Sequence, residues 1–322
     1  MLNRTAILAT LSLAGLFVAA PAASAALVTH CVGTGGAVTV PNDLYVPAGE
    51  SCELTGTIVT GNVSVAAGGN LVVTGGTFSG DVRIAGNGYF DASNTDITGP
   101  VVLAAGGYGV FLSDATSGAL TVRPKGTTTI DSFLYTEDST ITGTVNVQAG
   151  EVQVDRTSIE GNLSSTGTYY TDVHDSFVDG TLSVLNSATG SVVCGSSVHG
   201  KATFAGNVGG IQLGPNGALD SCASGGFWGR DLSVTSTTGA VTIDDNIVDG
   251  VLTATGNSPA AQIAPNNRVR RGIVTDPAPA NARAATAARA AAPASREENT
   301  AKAGARRTEA VQEARVAGPA DL

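Results

Sequence analysis

Glu160, Asp179 and His199 each stand one residue before a glycine: Gly161, Gly180 and Gly200. In a chain that repeats, an equal offset stacks such residues in one column. Two carboxylates about 5 Å apart suit attack on a glycosidic bond. Like charges that close also raise one pKa toward that of a general acid. Trp228 and Asp249 extend the same column, with Lys201 and Arg230 just beyond the glycine slots. A solvated, mixed-charge face is the alternative reading of these residues.

A second set lies ten residues before the glycines: Tyr89, Tyr108, Phe133, Glu151 and Tyr170. Its neighbouring column holds Asp91, Tyr135, Gln153 and Asp172. Rings flanked by carboxylates suit sugars, which have apolar faces and hydroxylated edges. The candidate ligand-binding residues are therefore Tyr89, Tyr108, Phe133, Tyr135, Tyr170 and Trp228. The same rings also serve as an external ladder that stabilises a sheet. Two acidic turns, Asp172-His174-Asp175 and Asp244-Asp245-Asn246, have oxygen ligands for Ca²⁺ or for their own backbone amides.

What must position these columns is a glycine ruler. Gly61, Gly80, Gly99 and Gly118 are 19 residues apart, and Gly143, Gly161, Gly180, Gly200 and Gly250 continue the series less evenly. An apolar residue two before and another two after accompany most of them, as in Ile97/Val101 and Val178/Leu182. Alternating apolar positions at a period near 20 predict stacked coils of β-strand that bury their side chains against one another. The expected fold is all-β: a right-handed parallel β-helix of about eleven coils, roughly 50 Å long. Two insertions break the ruler, one near Arg123–Gly126 and one placed at Asn207–Asp220.

Residues 1–25 read as a secretory signal peptide: Arg4, an apolar stretch, then Ala23-Ser24-Ala25. Residues 26–54 read as an N-terminal cap, 55–274 as the β-helix, and 275–322 as a disordered or partly helical Ala/Arg-rich tail. No later stretch is long and apolar enough for a membrane span, so the expected product is secreted or wall-associated. Residues 26–274 hold 9 Lys/Arg against 21 Asp/Glu, a balance that repels nucleic acid. Four cysteines in an exported chain predict two disulfides, Cys31–Cys52 and Cys194–Cys222. Cys194 lies six residues before Gly200 and Cys222 six before Trp228, which predicts one phase on adjacent coils. No CxxC or HxxxH spacing is present, so neither a metal nor a cofactor is expected.

The run Val46-Pro47-Ala48-Gly49-Glu50-Ser51-Cys52-Glu53-Leu54, with Val63–Gly69 and Gly80-Asp81-Val82, resembles exported actinobacterial-type β-helix repeat proteins. The coil length is also similar to that of bactofilins. The first resemblance implies export and a β-helix; the second implies end-to-end self-association. The reading of the whole sequence is an exported structural or binding protein of the cell surface or matrix, a non-enzyme, recognising envelope polysaccharide through the aromatic column. A carbohydrate-active enzyme using Glu160, Asp179 and His199 and a self-assembling rod are the alternatives.

Overall fold

The computed structural model describes residues 27–276 and 296–322. The signal-peptide reading and the first part of the tail lie outside them. Each coil lays one short strand on each of three faces. Face one is a 13-stranded parallel sheet running from Val28–His30 to Ile273–Thr275. Faces two and three share 22 strands, because Ser51–Val59 and Asn70–Phe78 each bend to serve both. The protein is therefore a parallel β-solenoid, of about 13 turns rather than eleven. The additional turns come from the cap region, where Val28–His30 and Asp43–Val46 already pair in register with the coils that follow.

The inward columns are those the glycine offsets predict. On face one Val63, Val82, Val101 and Leu120 stack rung upon rung; on face three Val59, Phe78 and Ile97 do so, and all are buried. β-Branched residues dominate because they fit a pleated surface. The glycines sit at the corner between faces three and one. A Cβ on Gly161 would stand 2.6 Å from the carbonyl oxygen of Gly143. Consecutive coil backbones thus touch there, and only glycine permits the approach.

The other corners carry polar side chains indoors. Ser176 Oγ donates to the His174 carbonyl (2.6 Å) and accepts from the Thr157 amide at 3.1 Å. Asn207 Oδ1 accepts from the Ser187 amide at 2.8 Å, and Asn257 Oδ1 repeats this contact with Thr237. These side chains satisfy amides that the turns take out of the strand ladders.

Both predicted disulfides form. Cys31–Cys52 lies in the core of the first coils. Cys194–Cys222 is the expected pair in a different place. Cys194 is on face two, whereas Cys222 belongs to an insertion over residues 214–226 that packs on the outside of that face. The insertion is thus later than the sequence suggests, and Asn207 is a corner residue. The first insertion, residues 123–132, is where the sequence places it.

Residues 296–322 take the partly helical alternative for the tail and pack on the solenoid. Arg296–Ala317 form a helix, α1, that runs back along face two toward the first coils. Gly318–Ala320 then pair with Thr34: its amide donates to the Gly318 carbonyl at 2.8 Å, and its carbonyl accepts from Ala320 at 2.9 Å. Leu322 packs against the core beside Leu54. The open edge of the first coil on face two is therefore covered by the last residues of the sequence. Among the described residues no helix is long and apolar enough to cross a membrane.

Gly161→Ala should destabilise the protein by about 1–3 kcal/mol, as overpacking does. Gly304→Ala, in open space on α1, should be neutral or slightly stabilising. Denaturant melts of the two variants check this; equal midpoints would show that the corner does not need its glycine.

Candidate functional site

The aromatic column faces outward from the coil, as predicted, but it is not open to solvent. Tyr89, Phe133 and Tyr135 are fully buried against Ala303 of α1, with Tyr108 and Phe111 packed beside them. Tyr170 is buried under the 214–226 insertion, against Val192, Cys194, Leu219 and Cys222. Trp228 is corrected more completely. It lies inside the solenoid in register with Val198, its Nε1 donating to Asn246 Oδ1 at 2.9 Å. Trp228 stands four residues before Leu232, as Val198 stands four before Ala202, so Arg230 rather than Gly229 fills the glycine slot and Trp228 takes the inward phase of Val198.

Geometry explains how α1 covers the column. Rungs repeat every ~4.8 Å and a helix rises 1.5 Å per residue, so about 3.2 residues span one rung, near the 3.6 of a helical turn. The mismatch of about 0.4 residue turns the helix by ~40° per rung, so its contact is made by residues four and seven apart on one side rather than by one residue per rung. Its buried residues are Asn299, Ala303, Ala310 and Ala314. Small side chains let the backbone approach the rings, and basic ones meet the acids beside them. Lys302 Nζ lies 5.3 Å above the Phe133 ring and 3.5 Å from Glu151 Oε2. The Arg306 guanidinium lies 5.1 Å from the Tyr108 ring and donates to Asn70 Oδ1. Arg315 reaches both oxygens of Glu53 at 3.2 Å.

At the centre of the contact, Arg307 pairs with Asp91 and donates to Ser93 Oγ and Thr74 Oγ1. Tyr89 Oη donates to Asp91 Oδ2 at 2.6 Å. Burial pushes the Asp91 carboxyl up to about 6, against the opposing pull of Arg307 and the Tyr89 hydroxyl. Burial also holds the Tyr89 phenol well above its ordinary value, and the Asp91 charge adds to this.

The second column lies open on the corner after face three. His199 Nδ1 is 3.0 Å from Asp179 Oδ1, with about half of each side chain exposed. Glu160 is exposed one coil earlier, and no hydrogen bond joins it to either of them. The stacking is as predicted, but the pair stands in water without the enclosed cleft that acid–base chemistry uses. Next to it, the half-buried Phe177 ring packs edge-on against His199 with centroids 4.6 Å apart. Phe177, Ser197 and Phe227 follow in register on face three, with exposed Ile247 after them. These outward aromatics escape an offset search anchored on the acids, although Phe177 and Phe227 sit at the strand position before each inward residue. Comparison of the chain with known protein families, curated proteins and solved structures finds no match.

A chain ending at residue 295 should bind the dye ANS through the uncovered rings, while the full chain should not; equal dye fluorescence would mean the column stays covered without α1. The Asp91 carboxyl is raised from 3.8 to about 6 in the folded state. The folded protein therefore binds the extra proton, and this contribution is full below pH ~4 and lost as pH rises through ~6. Asp91→Asn should remove up to about 3 kcal/mol of that pH dependence. Thermal melts from pH 4 to 7 read the difference; parallel curves for the two proteins would contradict the assignment.

Proposed function

We propose that the protein is an exported structural or binding rod of the cell surface or extracellular matrix, and that it takes polysaccharide along the later coils of face three. Export is supported by the leader-like first 25 residues and by the two disulfides, one in the first coils and one on the outside of face two. The observation that carries the binding reading is the pair of outward rings, Phe177 and Phe227, two rungs apart with Ser197 between them. Two rungs are about 10 Å, a span that lets two sugars of one chain each lie on a ring. The Asp179–His199 pair supplies hydrogen-bond partners for hydroxyl groups at the edge of that track.

The covered column does not support this role while α1 is docked, because its rings and acids are already occupied. The first coil's covered edge likewise argues against stacking of rods at that end.

Pull-down on insoluble wall polysaccharide tests the reading. The full chain should be retained. Phe177→Ala with Phe227→Ala should weaken retention at least tenfold, as loss of two stacking platforms of ~1–3 kcal/mol each predicts. Retention unchanged in the double variant, or absent in the parent, would reject it.

A further inference from the structure

Between the 214–226 insertion and the start of α1, face two gathers polar atoms that nothing described so far explains. Gln153 and Asp155 stand on one rung and Asp172 and His174 on the next, in register. Asp220 reaches over them from the insertion, and Arg296 from α1 comes to 3.8 Å from both Asp155 and Asp220. All four rung residues are more than nine-tenths buried. Gln153 Oε1, Asp155 Oδ1, Asp172 Oδ1 and His174 Nε2 each lack a hydrogen bond, and they make up half of the eight such buried side-chain atoms among the described residues. Buried polar atoms without partners are costly, and a cluster of them calls for an ion or water.

We infer that Asp172, His174 and Asp220 form a site for a divalent transition metal of the zinc class. His174 Nε2 lies 2.9 Å from Asp172 Oδ1 and 3.2 Å from Asp220 Oδ2, and the three ligand atoms fall within 4.8 Å of one another. Two ligands bound at ~2.1 Å stand about 3.0 Å apart at a right angle and about 3.4 Å apart at a tetrahedral angle. The 3.2 Å separation falls between these values and the 2.9 Å one lies close to the right-angle figure. At 2.9 Å the two atoms are close, yet neither gains a well-formed hydrogen bond from the approach.

One imidazole nitrogen and two carboxylates match zinc or a neighbour in the first transition row; Ca²⁺ and Mg²⁺ favour all-oxygen sets. Asp172 lies buried beneath the insertion, where a bare carboxylate is costly, so a bound cation would offset its charge. Cys194 and Cys222 also lie close to His174, but joined to each other they offer no thiolate. The metal would pin the insertion, through Asp220, to the rungs beneath it.

The test uses the full, oxidised chain, stripped with EDTA, dialysed against Zn²⁺ and assayed by elemental analysis and thermal melting. One zinc per chain and an EDTA-reversible rise in melting temperature are expected, with no rise from Ca²⁺. His174→Gln should abolish binding. Asp220→Asn, on the half-buried insertion, keeps the buried rungs intact and should weaken binding at least tenfold with an unchanged far-ultraviolet spectrum. Substoichiometric zinc, both variants binding like the parent, or binding only after disulfide reduction would overturn the assignment; the last outcome would move the ligands to the cysteines.

Discussion

Interchain-style backbone pairing between successive turns of one chain is the constraint from which everything else follows. Each coil hydrogen-bonds to the coil before it, so every residue is placed above its equivalent. A side chain is then selected less by its own coil than by the column it joins. Glycine at one corner is the extreme case, where the column has no room for a side chain. Serine, threonine and asparagine at the other corners are the polar counterpart, since an indoor amide freed by one turn meets the side chain of the next.

The same spacing decides what can lie on the outside. A helix laid along the axis runs one side, repeating at spacings of four and seven residues, across several rungs and meets their rings and acids on the way. Face two offers aromatic rings at Tyr89, Phe133 and Tyr135 and acids at Glu53, Asp91, Glu151 and Asp155. Helix α1 answers with Ala303 against the rings and Arg296, Lys302, Arg307 and Arg315 against the acids. The acidic solenoid and the basic side chains of this segment are two halves of one contact.

The inward columns were legible because glycine and β-branched residues recur at fixed offsets. Register was less so. Between Gly99 and Gly118 an extra residue at Tyr108 and a missing one after Ser117 cancel, so the count stays at 19 although Ile97 pairs with Ser117, not Thr116. At Trp228 the ruler misleads differently: Arg230 fills the glycine slot, and the neighbouring Gly229 shifts the apparent phase by one residue. The tail was legible as partly helical, but the docking of its helix was not, for a different reason: its contact side is alanine, which carries little hydropathy, and its attachment is ionic. Nothing in the Tyr89 column itself distinguishes rings awaiting a ligand from rings awaiting the chain's own alanines. The Asp172–His174 pair was visible as a turn, but its third member, Asp220, is 46 residues further on in an insertion with no fixed offset.

Pairing of Thr34 with Gly318 and Ala320 joins positions 284 residues and more apart. Most other ladders link neighbours about one coil distant, so the solenoid can wind from local closures, each of small entropic cost. Like the contacts of α1 with the first coils, this one cannot form until residues 296–320 have been made. Until those residues are made, the first turn presents a bare β-edge, so a nascent solenoid is open to edge-to-edge pairing for as long as its synthesis lasts.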